Sequence, residues 1–157
     1  MQGNAKVIAA LNQALQEELT AVSQYFIHAE MCENWKYVKL AKYLKKQSIS
    51  EMKHAERLIE HILFLDGIPN MSGPTQIKIG KTVKEQLEND LAAELDAVKS
   101  YNLAVKLSRD EADNGSADLF AANLKDEEDH ADWLEAQLNQ IREIGYERYL
   151  AMQARVE

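Results

Sequence analysis

Cysteine is almost absent from this sequence, because Cys32 is the only one. A single cysteine excludes an intrachain disulfide and any site built from several thiolates, and it makes a reducing compartment the default expectation. Proline and glycine are also scarce, with two prolines and six glycines in 157 residues. Long stretches of the chain are therefore free of the residues that interrupt helices.

Long apolar runs and an excess of basic residues are missing as well. No run approaches the roughly 18 apolar residues that span a bilayer, and the start "MQGNAKVIAALNQ" lacks the pattern of a secretory signal peptide. Lysine and arginine total 18 against 26 acidic residues, a formal net charge of −8. This balance argues against nucleic acid as a partner and favours cations. We expect a cytoplasmic protein without a membrane or nucleic-acid partner.

Helical patterns fill most of the chain. Both prolines and half of the glycines fall in "GIPNMSGPTQIKIG", residues 67–80, and no segment alternates as a strand would. The chain, residues 1–157, is predicted to form a single all-α domain. The predicted helices cover residues 5–33, 36–66, 82–112, 115–144 and, as a short fifth helix, 146–156.

The segment of residues 67–80 is long for a connection between neighbouring antiparallel helices, which needs only about 2 to 8 residues. When extended, its roughly 14 residues reach about 45 Å. A helix of about 30 residues has the same length. The sequence therefore predicts a four-helix bundle with one long crossover loop, in which the second and third helices are parallel.

The two halves of the chain repeat one helical hairpin. The first helix has the stripe Leu11, Leu15, Glu18, Val22, Tyr25 and Ala29, and the third has Leu87, Leu91, Glu94, Val98, Tyr101 and Val105. Each residue of the third helix follows its counterpart by 76 residues. The second helix carries Glu51 and His54 on its stripe, and the fourth carries the corresponding pair at the same offset. That pair is Glu127 and His130.

Folding the hairpins around a pseudo-two-fold axis brings six polar side chains into the bundle centre, because residues i and i+3 share a helix face. They are Glu18, Glu51, His54, Glu94, Glu127 and His130. Four buried carboxylates must be protonated, hydrated or bound to metal. Two divalent cations would cancel their charge, and this ligand set suits iron or manganese. The sequence predicts a dinuclear metal site and leaves the metal open.

Other polar residues near the stripe are assigned subordinate roles. Tyr25 and Tyr101 fit the core, and each buried hydroxyl is expected to bind a ligating carboxylate and orient it. Glu17 and the parts of the "DEED" run, residues 126–129, that lie outside the stripe are interpreted as solvated or ligand-orienting groups. His28 and His61 are interpreted as packing or surface histidines rather than ligands.

Beyond these residues, the chain resembles bacterioferritin from end to end. The resemblance lies in "EEL" with Glu18, "QYFIHA", "SEMKHAERLIEHILFLDGIPN", "DLAAELDA", "DEEDHADWLEAQL" and "IGYERYLAMQ". It implies a ferritin-like bundle, a homo-oligomeric shell of 24 subunits built of dimers, and iron storage. It also implies a di-iron ferroxidase centre that oxidises Fe(II) with dioxygen or hydrogen peroxide, and a ferredoxin-type electron donor for iron release. By resemblance, Glu18 with His54 and Glu94 with His130 each hold one iron, bridged by Glu51 and Glu127.

Met52 is the residue that distinguishes the family. Since one helical residue turns by about 100°, Met52 should project from the bundle flank when Glu51 faces inward. The resemblance implies that it ligates a haem b shared between two subunits, and a thioether is a suitable axial ligand for haem iron. Without the resemblance, a methionine there is more simply explained by interface packing. Phe26, Ile49 and Met71 are candidates to line the haem pocket.

The chain also departs from some bacterioferritins on the side that faces the cavity of the shell. It has Lys46 and Ser50 where those members have a histidine and an aspartate, and Gln47 where they have a glutamate. The resemblance therefore implies that an inner iron site is absent. We expect the di-iron centre to pass iron inward rather than act as a permanently filled cofactor.

Two other functions fit parts of the pattern. One is a soluble di-metal oxidase or peroxidase of the same superfamily without storage, such as a rubrerythrin-like or manganese-catalase-like protein. Rubrerythrin-like chains usually add an iron module held by four cysteines, and this chain has only Cys32. The other is a helical interaction bundle whose polar core residues give specificity. The oligomer size separates the first alternative from a storage shell, and metal analysis separates the second.

Overall fold

The computed structural model describes residues 1–70 and 75–155, and these residues form five α-helices. The helices are α1 (Ala5–Asn34), α2 (Val38–Phe64), α3 (Val83–Asp110), α4 (Asn114–Ile144) and α5 (Tyr146–Gln153). Within these described ranges there is no strand. The predicted all-α fold, four long helices followed by a short one, is confirmed.

Helices α1 and α2 form an antiparallel hairpin. The backbone amide of Gly3 donates to the carbonyl of Leu65 at 3.0 Å, so the start of α1 lies beside the end of α2. Further along, the hydroxyl of Ser48 donates to the carbonyl of Val22 at 2.8 Å. Because one residue number rises while the other falls, the two helices run in opposite directions.

Helices α1 and α3 also run in opposite directions. The hydroxyl of Tyr25 donates to Glu94 at 2.7 Å, and the hydroxyl of Tyr101 donates to Glu18 at 2.5 Å. Since α1 is antiparallel to both α2 and α3, the last two are parallel to each other. The direction predicted from the length of the crossover is therefore confirmed.

Three helices end in a left-handed residue that is not glycine. Lys36, Asp66 and Ala112 have φ angles of 69°, 59° and 57°. In each case the amide of the following residue donates to the carbonyl five residues earlier, which is the Schellman motif. The second and third predicted helices extend to residues 66 and 112, whereas α2 ends at Phe64 and α3 at Asp110. The prediction is too long because the left-handed residues at these two ends, Asp66 and Ala112, are not glycines.

The fifth helix is shorter than predicted. It ends at Gln153, and residue 156, the predicted end, lies outside the described residues. Tyr149 fastens α5 to the bundle, because its side chain is buried and its hydroxyl donates to Gln137 at 2.7 Å. Met71 of the crossover also lies outside the described residues.

The core consists of two apolar clusters separated by a polar layer. One cluster contains Leu11, Leu15 and Leu58, and the other contains Leu44 and Leu87. The six ionisable residues of the predicted metal site lie between these clusters along the helices. No helix within the described ranges combines the length and the apolar character needed to cross a membrane.

Candidate metal centre

The structure brings the six predicted side chains together in the middle of the bundle. Each of the four long helices contributes, with one glutamate from α1 and from α3 and a Glu-x-x-His pair from α2 and from α4. All six are buried, and the most exposed of them, His130, is only 8% accessible. We refer to these residues as the metal centre. They are Glu18, Glu51, His54, Glu94, Glu127 and His130.

The metal centre contains two overlapping sets of ligand atoms. One set is Glu18, Glu51, His54 and Glu127, and the other is Glu51, Glu94, Glu127 and His130. Within each set, the ligand atoms all lie within 4.8 Å of one another. Glu51 and Glu127 belong to both sets, so the arrangement has room for two ions that share two carboxylates.

The two shared carboxylates each lie within 4 Å of both histidines. Glu51 Oε1 is 3.1 Å from Nδ1 of His130 and 3.6 Å from Nδ1 of His54. Glu127 Oε1 is 2.9 Å from Nδ1 of His54 and 3.8 Å from Nδ1 of His130. These distances give Glu51 and Glu127 the geometry of bridging ligands.

Each of the other two carboxylates, which we call terminal, lies within 4 Å of only one of the two histidines. Glu18 Oε1 lies 3.5 Å from Nδ1 of His54, and Glu94 Oε1 lies 3.5 Å from Nδ1 of His130. The two imidazole rings are nearly parallel, with their centroids 6.2 Å apart. The centre therefore has the pseudo-two-fold arrangement expected from the repeat.

The hydrogen bonds of the centre are incomplete in a way that fits metal ions. Each of the six side chains has one buried nitrogen or oxygen without a hydrogen-bond partner, including Nδ1 of both histidines. The 2.9 Å approach of Glu127 to His54 is thus a close contact without hydrogen-bond geometry. Buried polar atoms normally have partners, and divalent cations would supply them here. Oxygen ligands with two imidazoles fit iron or manganese.

The metal-free centre holds protons tightly. Burial raises the pKa of Glu51 and of Glu127 well above the usual range, and the charge of Glu18 adds to both shifts. Burial acts to lower the pKa of His54, but the carboxylates of Glu127 and Glu18 outweigh it and raise that pKa to about 11. Burial would also raise the pKa of Glu94, but its interaction with His130 gives a net decrease. Metal binding must therefore displace protons.

Two buried tyrosines orient the terminal carboxylates from opposite sides. Tyr25 donates to Oε1 of Glu94 and Tyr101 to Oε1 of Glu18, each across the α1–α3 contact. Burial raises the pKa of both hydroxyls well above 10, so they remain donors at physiological pH. The other oxygen of each carboxylate has no partner. Each tyrosine thus leaves one carboxylate oxygen available to a metal ion.

The outer nitrogens of the two histidines have different neighbours. Nε2 of His54 lies 2.8 Å from Oδ2 of Asp126, whereas Nε2 of His130 lies 3.5 Å from the hydroxyl of Ser50. Asp126 belongs to the "DEED" run, for which the sequence left open a solvated or an orienting role. Its contact with His54 favours the orienting role for Asp126.

A second polar cluster lies at the crossover end of α1, and no sequence pattern marks it. His28 is fully buried, and its Nδ1 lies 3.0 Å from Asp90. The amide of Gly80 donates to its Nε2 at 3.0 Å, so Nδ1 carries the proton that is donated to Asp90. Gln24 donates to the same Asp90 and accepts from the amide of Lys78. This cluster ties the crossover to α1 and α3 and is not a metal site.

Met52 lies on the flank of α2, away from the metal centre. Its side chain is 46% exposed, and Ile49, one turn earlier on the same face, is 45% exposed. Phe26 on α1 is 50% exposed. Lys46 is exposed, and Gln47 is buried with an unpartnered amide oxygen. An exposed thioether, with the exposed side chain of Ile49 on the same helix face, has the chemistry of a possible axial haem ligand.

Comparisons with known proteins agree with this geometry. Residues 8–144 match the family model described as a ferritin-like domain. The chain is 42% identical over 151 residues to a bacterioferritin of Mycolicibacterium paratuberculosis, covering 96% of this chain and 95% of that protein. A bacterioferritin of Brucella melitensis is 45% identical over 149 residues, covering 95% of this chain and 92% of that protein.

The chain belongs to the bacterioferritin family. The match extends over nearly the full length of both relatives, and the ferritin-like domain contains all six residues of the metal centre. Membership of the bacterioferritin family supports iron storage as the function and is consistent with ferroxidase activity. The predicted resemblance is therefore confirmed, together with the ferritin-like fold.

Proposed function

We propose that this protein stores iron in a cytoplasmic homo-oligomeric shell of 24 subunits built of dimers, each subunit a single domain of residues 1–157. In this proposal the metal centre is a ferroxidase site, where four Fe(II) ions, one dioxygen and four protons yield four Fe(III) ions and two waters. Hydrogen peroxide is an alternative oxidant. The observation that carries the proposal is the set of six buried side chains, each with one polar atom that lacks a protein partner.

Fe(II) is the substrate, and the residues of the centre have separate tasks. Glu18 and His54 hold one ion and Glu94 and His130 the other, while Glu51 and Glu127 span both positions. Four carboxylates give the site a formal charge of −4, which favours Fe(III) over Fe(II) and so favours oxidation. Tyr25 and Tyr101 hold the terminal carboxylates in the orientation that ligation requires.

The centre is proposed to pass its iron onward to the cavity of the shell. Lys46 and Ser50 do not offer the imidazole and carboxylate that an additional iron site on the inner face would need. A crystal soaked in Fe(II) and then exposed to air tests this role. The occupancy of both metal positions should fall as mineral forms, and full occupancy that stays constant through many turnovers would contradict it.

Haem b is proposed as a second cofactor, held between two subunits by Met52 of each. Haem would supply one-electron transfer, which suits the reductive release of stored iron by a ferredoxin-type electron donor. Met52 contributes an exposed thioether, and Ile49 contributes apolar surface on the same face of α2. Phe26 is proposed to line the pocket from α1.

An anaerobic titration with Fe(II), followed by addition of oxygen, tests the ferroxidase function. We expect two Fe(II) bound per chain and rapid oxidation of both when oxygen is added. A Glu51→Ala, Glu127→Ala variant should lose the rapid phase, since it lacks both bridging carboxylates. Binding of fewer than two ions, or slow oxidation equal to that of the variant, would contradict the proposal. Size-exclusion chromatography separates the shell from a smaller di-metal oxidase.

A further inference from the structure

A cavity of about 430 Å³ connects the metal centre with the protein surface between α1 and α3. Its lining includes four buried carboxylates of the centre and, at the surface, exposed residues such as Asp96 and Ala93. Thr75, Gln76 and Lys78 of the crossover lie along one side. The cavity therefore offers a direct path from outside the chain to the ligand atoms.

Small side chains keep this cavity open. Ala21 and Ala97 line it from α1 and α3, and they occupy equivalent positions of the two hairpins, 76 residues apart. Ala92 and Ala93 line it further out on α3. Because leucine or valine at these positions would fill space between the helices, the alanines leave room for a hydrated ion.

The floor of the cavity has polar atoms that point to a ligand. Glu18 and Glu94 are each 2% exposed, and Oε2 of both has no hydrogen-bond partner. Both residues line the cavity. An ion that enters the cavity thus finds two partner-free carboxylate oxygens at its inner end.

Two further carboxylates, Glu17 and Asp96, lie at the outer part of the cavity, and we refer to them as the rim. Glu17 precedes Glu18, and Asp96 lies two residues after Glu94. At the offset of 76 residues, Glu17 corresponds to Ala93 and Asp96 corresponds to Thr20. The two rim carboxylates therefore do not belong to the sequence repeat that forms the metal centre. These carboxylates require an explanation other than the repeat.

The partners of the rim leave its charge uncompensated. Glu17 accepts hydrogen bonds from Gln13 and from Ser100, both at 3.3 Å, and both donors are neutral. Over the described part of the chain, neither Glu17 nor Asp96 forms an ion pair with a basic side chain. Lys78 is the only basic residue among the described residues that line the cavity.

We propose that Glu17 and Asp96 form an outer binding site, which captures hydrated divalent cations and delivers them through the cavity to the metal centre. The proposal rests on the proposed function, because it concerns the route by which that centre receives its substrate. Two carboxylates at the mouth of a cleft raise the local concentration of cations and their rate of arrival. Glu17 adjoins Glu18 in α1, Asp96 lies two residues from Glu94 in α3, and all four line the same cavity, so an ion at the rim has a continuous path to the metal centre.

Stopped-flow uptake of Co²⁺ by the metal-free protein tests the route, with the visible absorbance of the bound ion as the signal. A Glu17→Gln, Asp96→Asn variant should bind Co²⁺ about tenfold more slowly than wild type, with an unchanged two ions per chain. Its equilibrium affinity should also be unchanged, because a transit site alters arrival and departure equally. The slower uptake should depend less on salt concentration than that of wild type.

Two further variants make the test specific. Glu88→Gln, Glu135→Gln removes the same charge from exposed positions outside the cavity and should leave the uptake rate unchanged. Ala93→Lys places bulk and positive charge at the mouth and should slow uptake at least as much as the rim variant. Ala136→Lys, at an exposed position of α4, is its control.

Uptake by the rim variant at the wild-type rate would overturn the route, and so would loss of binding stoichiometry or of equilibrium affinity. A failure of the proposed function looks different. In that case Co²⁺ arrives through the rim as described, but the wild-type protein does not oxidise Fe(II) rapidly. Wild-type protein that binds no Co²⁺ would overturn both.

Discussion

Asp126 and Ser50 occupy equivalent positions of the two repeated hairpins, 76 residues apart, but they support their histidines unequally. Asp126 offers His54 a carboxylate oxygen at 2.8 Å, whereas Ser50 offers His130 a hydroxyl at 3.5 Å. A carboxylate partner fixes the imidazole orientation and makes the ligating nitrogen more basic. The two metal positions are therefore expected to differ in affinity, with the tighter one at His54.

We predict that Asp126→Asn weakens binding of one of the two ions by about 10- to 100-fold, as loss of a carboxylate partner to a ligating histidine commonly does. The other ion should be affected much less. Isothermal titration calorimetry with Zn²⁺ measures the affinities of the two ions. Because Zn²⁺ has no redox chemistry, the titration can be done in the presence of oxygen.

The matched variants lie at Ser50. Ser50→Ala should change binding less than twofold, because its 3.5 Å contact is weak. Ser50→Asp should strengthen the second step and make the two affinities more similar. The prediction is contradicted if the wild-type protein binds both ions with equal affinity and Asp126→Asn does not change either affinity. The different partners of His54 and His130 would then have no effect on metal binding.

The metal centre could be predicted from the sequence because the spacing of its ligands within each helix is a local pattern, and both hairpins repeat it. A glutamate on the apolar stripe, and a histidine three residues after another glutamate, each define a helix face without knowledge of the tertiary structure. The pairing of Tyr25 with Glu94, and of Asp126 with His54, could not be predicted, since it depends on the rotation of one helix against another. The same holds for His28 and Asp90, which are 62 residues apart.

The helix ends show a second limit of sequence patterns. Lys36, Asp66 and Ala112 adopt left-handed conformations that the sequence does not mark with glycine. The hydrogen bonds that close each helix outweigh the cost of the conformation, about 1 kcal/mol for a non-glycine residue. Residues of this kind are recognisable only when the backbone is known.

The pH dependence of stability follows from the protons in the metal-free centre. The folded-state pKa values of Glu51 and Glu127 are raised, so their stabilising contribution is complete at low pH and is lost as pH rises through those values. His54, with a pKa raised from 6.5 to about 11, acts in the same direction between these two values. The melting temperature of the metal-free protein should therefore fall from pH 6.5 to pH 9.

Metal should reverse this trend, because ions bind the deprotonated ligands and are favoured at higher pH. Differential scanning calorimetry with and without Zn²⁺ should show a metal-induced increase in melting temperature that grows from pH 6.5 to pH 9. Glu51→Gln, Glu127→Gln should flatten the profile of the metal-free protein. A metal-free protein that becomes more stable over this range would contradict the assignment of the protons.

The cluster at His28 is predicted to hold the crossover in place. In His28→Leu the amide of Gly80 loses its acceptor and the buried carboxylate of Asp90 loses a donor, which should cost about 3 kcal/mol. Hydrogen exchange at Gly80 should accelerate by about two orders of magnitude, since every 1.4 kcal/mol is tenfold.

His61→Leu is the control for this variant. His61 is half-buried and makes one hydrogen bond with Ser116, at 2.8 Å, so its loss should cost only about 1 kcal/mol. Exchange at Gly80 should not respond to it. If His28→Leu leaves the Gly80 amide as protected as in wild type, the cluster does not secure the crossover.

Reconstitution with haem tests the proposed role of Met52. Wild-type protein should bind one haem for every two chains and show the visible spectrum of iron with two thioether ligands, whereas Met52→Leu should lose that spectrum. Met152→Leu changes another exposed methionine, 40% accessible, and should bind haem normally. Wild-type protein without haem binding would make this chain a haem-free ferritin and would leave the metal centre unaffected.

The central claim is that one subunit binds two metal ions between its duplicated hairpins, and anomalous scattering tests it most directly. Crystals soaked in Fe(II) without oxygen and measured at the iron absorption edge should show two peaks about 3.5 to 4 Å apart. One should lie beside Nδ1 of His54 and the other beside Nδ1 of His130, with Glu51 and Glu127 in contact with both. A bundle centre without anomalous density at saturating Fe(II), or with the six side chains turned away from it, would contradict the account.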